Sequence, residues 1–155
     1  MARAVDVEAE DELIARVTQD LLDTMRASPG CVGIAAPQIG EEVRMAAVDC
    51  TGHRKVPEPN GLLVLVNPVV ASSSEASEVG REGCLSIPEL TADVRRACGV
   101  VVKAAGGLRV ASEGFEARCL FHELDHLDGL LFLDRVESLS RDVFQRKGRT
   151  PKPEG

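Results

Sequence analysis

The stretch that decides the fold is His122-Glu123-Leu124-Asp125-His126. Leucines recur around it at helical spacing, which predicts one helix from Phe115 to Asp128, with Ser112 available as its cap and Gly129 as its stop. Because residues four apart lie on one face of a helix, both imidazoles can reach one metal ion. Glu123 is turned by about 100° from the first histidine. A carboxylate beside the ligands can take a proton from an activated water and later return it.

The pentapeptide alone is also compatible with a solvated, charged helix face that carries two of the chain's three histidines. Two histidines and a glutamate do not complete a metal site. Catalytic sites generally supply three protein ligands and leave one position open. A third ligand elsewhere in the chain therefore decides between the two interpretations.

Length and composition are typical of one soluble globular domain. The chain has 155 residues, enough to bury roughly 70% of its unfolded surface without disulfides. Its 44% hydrophobic and 28% charged residues are ordinary proportions for such a protein. We predict a single domain over residues 1–145, followed by a disordered basic tail with two prolines over residues 146–155.

Charge, hydropathy and cysteine content limit the classes of partner. The net charge of −7 argues against nucleic-acid binding, which needs a cationic surface. No apolar run approaches the ~18 residues of a membrane span, and no basic-then-apolar signal sequence opens the chain. The five cysteines are an odd number without regular spacing, so they do not form a disulfide framework. We therefore expect a cytoplasmic protein in a reducing compartment, with no membrane association.

Hydrophobic periodicity predicts the other elements. A packing helix with acidic residues in its first turn is predicted over residues 6–28, and a short helix around Leu139 to Phe144. Gly106 and Gly107 predict a tight hairpin. Strands are predicted over residues 43–49, 62–70, 91–95, 100–104 and 108–111. The second of these is nearly all aliphatic and is expected to be buried on both faces.

Residues 30–40 combine three glycines with a proline and small apolar residues, which is typical of a tight loop where the backbone approaches something closely. The loop lacks the Gly-Lys-Ser/Thr ending of a phosphate loop, so nucleotide binding is not expected. A buried crossover loop is one interpretation. The functional candidate is Gln38, whose side-chain amide can donate to a developing oxyanion.

Among the cysteines, Cys84 is the candidate ligand, because it follows Gly83, is flanked by Glu82 and precedes a proline. A thiolate suits zinc or ferrous iron. The other four cysteines are expected to behave as small buried hydrophobes. Arg95 and Arg96 interrupt an apolar region and can either meet an anionic group or serve as edge-strand charges that discourage aggregation.

Three stretches together resemble the motifs of peptide deformylase. They are residues 30–38, in which the second glycine is spaced one residue wider than in the family, residues 82–86 (Glu-Gly-Cys-Leu-Ser) and residues 122–126 (His-Glu-Leu-Asp-His). They occur in the family's order and at compatible spacing. Residues 94–96 and 126–132 also resemble it, so the match covers residues 28 to 136. Three motifs in order are far more specific than one.

The resemblance implies a role for each matching residue. It implies that Cys84, His122 and His126 bind one divalent metal, and that Glu123 acts as general base and then as general acid. It also implies that the Gln38 side chain and the backbone N–H of Leu85 stabilise the oxyanion. The substrate-binding residues implied are Gly33, Ile34, Glu82, Gly83 and Arg96, with the peptide held like an added strand.

The resemblance further implies a fold, a reaction and partners. The fold is α+β, with antiparallel strands wrapped around the central metal-binding helix. The reaction is hydrolysis of the N-formyl group from the N-terminal methionine of new polypeptides, with release of formate. Ferrous iron (Fe2+) is implied as the working ion, with zinc (Zn2+), nickel (Ni2+) or cobalt (Co2+) as substitutes. N-formylmethionyl peptides are the implied ligands, and the ribosome is a candidate partner.

The sequence departs from the family at Phe121, where members usually carry a glutamine; restoring it is expected to favour activity or metal retention. The segment before the first helix is shortened, and the Gly106-Gly107 hairpin is tighter than usual. Two alternatives stay open. One is an inactive metal-bearing relative that binds formyl-peptides. The other is a zincin-like peptidase, which would use a histidine or glutamate as third ligand.

Overall fold

The computed structural model describes residues 3–4 and 11–146. Its helices are α1 (Asp11–Ala27), α2 (Gly114–Leu127) and α3 (Leu139–Asp142). Its strands are β1 (Gly33–Ala35), β2 (Met45–Asp49), β3 (Leu62–Val66), β4 (Val69–Ser73), β5 (Ser77–Cys84), β6 (Ile87–Ala97), β7 (Gly99–Ala104), β8 (Leu108–Glu113) and β9 (Val143–Gln145). The predicted helix 6–28 is confirmed over residues 11–27, and residues 6–10 lie outside the described part.

The strands form three antiparallel sheets around α2. Their orders are β1-β2-β3, β4-β7-β8 and β5-β6-β9. Helix α2 packs against strands of all three sheets, and most of its side chains are buried on every side. The predicted α+β fold with a central helix is therefore confirmed. The strands predicted over residues 91–95, 100–104 and 108–111 are also confirmed, as parts of β6, β7 and β8, and the strand predicted over residues 43–49 is confirmed over Met45–Asp49 as β2.

The ends of α2 agree with the sequence pattern except at the cap. Gly129 follows the helix with φ 79°, a conformation that favours glycine, so the predicted stop is confirmed. The predicted cap was wrong. The hydroxyl of Ser112 donates to Glu116 at 2.7 Å, and the residue at the N-cap position, Glu113, makes no side-chain cap bond. Because the Ser112 hydroxyl is bonded to the carboxylate of Glu116, it does not cap the helix.

The prediction of one doubly buried strand over residues 62–70 was wrong. The chain turns at Asn67, whose φ is 50°, and Pro68 follows without an N–H to donate, so the run divides between β3 and β4 of different sheets. Residues of β3 alternate in burial, and β4 is exposed throughout. Val69 keeps 55% of its surface exposed. Aliphatic composition alone did not distinguish a buried strand from an edge strand.

The C-terminal segment is part helix and part strand. The predicted helix around residues 139–144 ends at Asp142, because residues 143–145 pair with β6 as β9. Arg146 continues this pairing through a backbone bond from its N–H to the carbonyl of Glu89 at 2.8 Å. The rest of the predicted basic tail, residues 147–155, lies outside the described residues.

Two glycines form the predicted hairpin between β7 and β8. Gly106 and Gly107 both have positive φ, 76° and 74°, and join β7 to β8, so the predicted hairpin is confirmed.

All five cysteines are free thiols. Cys50 and Cys119 are buried as expected, whereas Cys31 and Cys98 are half-buried. In the described part of the chain no helix is both long and apolar enough to cross a membrane.

Candidate metal centre

The end of β5 and one face of α2 bring three possible ligand atoms together. Cys84 follows a β-bulge that interrupts the β5–β6 register after Gly83. Its Sγ lies 3.2 Å from Nε2 of His126, which in turn lies 3.2 Å from Nε2 of His122. All three atoms lie within 4.8 Å of one another. The predicted ligand set is thus gathered at one point, although its members are 38 and 42 residues apart in the chain.

The spacing of these atoms suits a single cation. Nitrogen ligands at ~2.0–2.1 Å and sulfur at ~2.3 Å from one ion, at tetrahedral angles, lie roughly 3.3–3.6 Å apart. The observed separations of 3.2 Å agree with that within a few tenths of an ångström. The donor set of one thiolate and two imidazoles also matches borderline-soft divalent metals. The residues present therefore fit a divalent metal ion.

The thiol and the imidazole influence each other's ionisation. Burial raises the pKa of Cys84, but hydrogen bonds from His122 and His126 outweigh it and bring that pKa down to about 5. Burial lowers the pKa of His122, but its contacts with Cys84 and Glu82 raise it to about 10. At neutral pH the two groups are therefore a thiolate and an imidazolium: Cys84 is already in its metal-binding form, and His122 has to release a proton to bind a metal.

A buried carboxylate orients the first histidine. Nδ1 of His122 lies 2.9 Å from Oε1 of Glu82. Arg96 donates two hydrogen bonds of 2.9 Å to Glu82, and Arg118 donates a third of 2.9 Å. Burial raises the pKa of Glu82, yet Arg96 and His122 together lower it to about 2. Glu82 is thus held ionised behind the ligand, where it fixes the orientation of the imidazole ring.

Arg96 was predicted as a substrate contact, but the structure directs it elsewhere. It lies on the inward face of β6 with Ala92 and Val94, and it is 6% exposed. Besides Glu82, it donates to Asp125 at 2.6 Å, and Asp125 also accepts from Arg135. The anionic groups that Arg96 meets are therefore the protein's own, and it is not among the residues that line the cavity beside the site.

Glu123 is buried in direct contact with the first loop motif. Burial raises the pKa of its carboxyl to about 7, although His122 and His126 oppose the rise. Among the described residues, its Oε2 has no hydrogen-bond partner. A β-carbon on Gly33 would lie 2.9 Å from its Oε1, so a side chain there would force the carboxylate or the loop to shift. The result is a base of nearly neutral pKa with one free oxygen.

Gln38 is held with its amide nitrogen toward Cys84. Its Oε1 accepts the backbone N–H of Ala35 at 2.9 Å, which fixes the orientation of the amide. Its Nε2 lies 3.4 Å from Sγ of Cys84 and 3.1 Å from the Ser86 hydroxyl. Leu85 lies between these two residues in sequence and is 39% exposed. The amide of Gln38 and the backbone around Leu85 therefore border the ligand cluster.

A cavity of about 220 Å³ opens beside the cluster. Of the predicted site residues, eight line it: Gly33, Gln38, Glu82, Gly83, Cys84, Leu85, His122 and Glu123. The side chain of Ile34 instead packs in the core with Val17 and Leu21. The remaining ligand, His126, is 1% exposed and lies behind the cavity lining.

Several cavity residues were missed by the sequence analysis. They are Cys31, Arg81, Phe115, Arg118, Cys119 and Arg146, among others. Helical spacing could have identified Arg118, which lies one turn before His122, and Cys119, which lies one turn before Glu123. No local signal points to Arg146, because strand pairing far along the chain brings it to the cavity.

Proteins of known family are similar to most of this chain. The family model described as polypeptide deformylase matches residues 1–142. A peptide deformylase of Mesorhizobium japonicum is 42% identical over 145 residues, which cover 91% of this chain and 80% of the relative. Peptide deformylase 2 of Vibrio cholerae is 40% identical over 138 residues, covering 86% of this chain and 79% of the relative.

Solved structures give the same result. A peptide deformylase from Synechococcus elongatus in complex with actinonin has a TM-score of 0.76 and 37% identity, covering 88% of this chain and 72% of that one. A class I type b peptide deformylase from Acinetobacter baumannii with Met-Ala-Ser bound has a TM-score of 0.75 and 33% identity, covering 87% of this chain and 90% of that one. The chain therefore belongs to the peptide deformylase family, a family of metal-dependent hydrolases that remove the formyl group from polypeptides.

Proposed function

We propose that this enzyme hydrolyses the N-formyl group from the N-terminal methionine of new polypeptides and releases formate. The observation that carries the proposal is the free carboxylate oxygen of Glu123 next to a Cys84, His122 and His126 cluster, beside a cavity of about 220 Å³. Amide hydrolysis at neutral pH needs an activated water and a nearby base, and this arrangement can provide both.

Cys84, His122 and His126 would hold one divalent metal ion. When bound, such an ion supplies Lewis acidity, which can lower the pKa of water from ~15.7 to near 7. Glu82 would keep His122 in place through its Nδ1 atom. We assign Glu82 and Arg96 to positioning, since their charged groups are engaged with each other and are buried.

Glu123 would move the proton. Its free Oε2 can accept a proton from the attacking water, and a pKa of about 7 allows the same carboxyl to donate it afterwards to the leaving amine nitrogen. Burial of the side chain keeps competing water away from the proton. One residue therefore serves as base and then as acid.

Gln38 and the backbone N–H of Leu85 would stabilise the oxyanion. Support comes from the fixed amide of Gln38, whose nitrogen is within 3.4 Å of Sγ of Cys84 and already points to the ligand cluster. A preorganised donor of this kind typically contributes about 2.7–4 kcal/mol to the transition state. The two donors come from different elements, which favours a rigid oxyanion site.

The peptide would lie between two edge strands. β1 and β5 are each the outer strand of their sheet, and Gly33 on one and Gly83 on the other line the cavity. Such edges carry unpaired backbone groups that can accept an added strand. The Acinetobacter baumannii neighbour with Met-Ala-Ser bound supports peptide binding in this fold. We assign the backbone of Gly33, Ile34 and Gly83 to peptide binding.

The finer identity of the metal and partners is also a proposal. We propose ferrous iron as the working ion, with zinc, nickel or cobalt as substitutes; the thiolate and imidazole donor set suits all four ions, and the resemblance to peptide deformylase is what favours iron. We further propose that residues 1–145 form a single catalytic domain, that the enzyme works in the cytoplasm, and that it meets its substrate at the ribosome.

The test is formate release from formyl-Met-Ala-Ser, with acetyl-Met-Ala-Ser as a matched control and metal content measured on the same anaerobic sample. We expect formate from the first peptide only, and loss of metal in Cys84→Ala but not in Cys98→Ala. No turnover by fully loaded protein would favour an inactive relative that binds formyl-peptides. Cleavage of internal peptide bonds, with metal retained in Cys84→Ala, would favour a zincin-like peptidase.

A further inference from the structure

The last described strand brings an arginine to the cavity. β9 pairs with β6, with Gln145 opposite Leu90, and the N–H of Arg146 donates to the carbonyl of Glu89. This backbone pairing holds Arg146 at the rim of the sheet that carries Cys84. Its side chain lines the cavity together with that of Arg81.

The guanidinium of Arg146 lies against Gly83, one residue before the predicted ligand. A β-carbon added at Gly83 would overlap its Nη2 atom, so the arginine occupies the space that a side chain at this position would need. Gly83 belongs to the edge strand along which the peptide is proposed to lie. A side chain of a bound peptide can therefore come within reach of this guanidinium.

Three arginines line the cavity: Arg118 is buried and paired with Glu82, whereas Arg81 and Arg146 lie nearer the rim and differ in their partners. Arg81 donates to Asp93 at 2.8 Å, and its guanidinium carbon lies 3.9 Å from the ring centre of Phe144. Arg146 has no ion-pair partner among the described residues. The carboxylates of the cavity, Glu82 and Glu123, are at most 6% exposed. The accessible charge at this rim is therefore positive, although the whole chain carries −7.

We infer that Arg146 is a specificity-determining residue that binds an acidic side chain of the polypeptide, downstream of the formylated methionine. The inference rests on the proposed function and adds a substrate preference to it. Arg146 is half-buried, and a guanidinium that is partly open to solvent gains only a modest free energy from pairing with a carboxylate, which salt weakens. A preference of roughly two- to fivefold for an acidic over a neutral residue is the expected size.

The experiment compares kcat/KM for formyl-Met peptides of four residues that carry Asp or Asn at the second, third or fourth position. All peptides are amidated at the C-terminus, so the side chain is the only carboxylate, and a matched set with a free C-terminus reports binding of that group instead. We expect the wild-type enzyme to prefer Asp over Asn at one or more positions, because the Asp peptide has the lower KM. We expect this preference to fall as the salt concentration is raised.

Arg146→Gln tests the residue, and Arg141→Gln is the matched control. Arg141 is exposed on α3, pairs with Asp142 and does not line the cavity. We expect the Asp-to-Asn ratio to fall to about one in Arg146→Gln, to be retained in part in Arg146→Lys, and to be unchanged in Arg141→Gln. Melting curves of the variants identify any loss of folding.

Three outcomes would overturn the inference. The first is an Asp-to-Asn ratio of kcat/KM equal to one at every position in the wild type, and the second is an unchanged ratio in Arg146→Gln. The third is an equal gain in kcat/KM on all peptides in that variant. The last would mean that Arg146 obstructs the cleft. Absence of turnover on every formyl peptide would contradict the proposed function instead. Binding of the Asp and Asn peptides, measured by calorimetry, would then still test Arg146.

Discussion

Gly33 lies against the carboxylate of Glu123 so closely that a β-carbon would come within 2.9 Å of Oε1 and 3.1 Å of Cγ. Glu123 is only 4% exposed, so its side chain has little room to move away. We therefore expect Gly33→Ala to lower kcat/KM by roughly 10- to 100-fold, because small misplacements of a catalytic group have effects of this size. Steady-state kinetics would measure it.

The control for that variant is Gly99→Ala, since a β-carbon at Gly99 meets only ordinary contacts of 3.6 Å or more and its backbone has no positive φ. Wild-type activity in Gly33→Ala would show that the carboxylate has room to shift, and that its contact with the loop is not needed for catalysis.

Glu123→Gln is expected to keep the fold and the metal and to lose turnover. The amide retains the shape of the side chain but cannot carry the proton, and general acid–base catalysis is worth ~10²–10⁴-fold. Single-turnover kinetics and metal analysis on the same sample would check this, with exposed Glu12→Gln as control. Retention of more than about a tenth of the wild-type rate would contradict the proposed role.

Glu82→Gln is expected to weaken metal binding by roughly 10- to 100-fold, because Glu82 holds the imidazole of His122. It should also destabilise the fold by roughly 3 kcal/mol or more, since Arg96 and Arg118 would lose a buried charged partner. Chelator competition and denaturant unfolding would measure the two effects. Glu78→Gln, exposed on the same strand, should change neither.

Phe121→Gln tests the family departure. The sequence favoured a gain, but the ring packs against the core cluster that contains Leu120 and Val100, and His122 already has Glu82 as its partner. We therefore expect a loss of roughly 1–2 kcal/mol in the free energy of unfolding, with no gain in metal retention. Phe121→Leu, which stays apolar, should be milder. Tighter metal binding in Phe121→Gln would instead support the gain that the sequence predicted.

Protein loaded anaerobically with iron or nickel is expected to turn over formyl-Met peptides much faster than the zinc form. Zinc should bind more tightly than ferrous iron to Cys84, His122 and His126 by the Irving–Williams order, but affinity and catalytic competence are separate properties. Rates at matched occupancy would measure the difference. Equal rates for the zinc and iron forms would refute the metal assignment and leave the family assignment intact.

The sequence by itself determined the central helix, the hairpin at Gly106 and Gly107, and the three possible ligands. These features depend on local chemistry: the four-residue spacing of His122 and His126 puts both on one helix face, and glycine alone adopts the hairpin's positive φ at little cost. The motif around Cys84 added the third ligand, and the structure brings its thiol to within 3.2 Å of His126.

Only the tertiary structure decided where the other charged side chains go and which strands become neighbours. Arg96 could have met substrate or solvent, and it meets Glu82 because β5 and β6 pair with those two residues on inward faces. Residues 62–73 divided between two sheets, and Arg146 reached the cavity through a strand more than fifty residues from its partner. Such pairings depend on contacts between distant segments, which local periodicity does not encode.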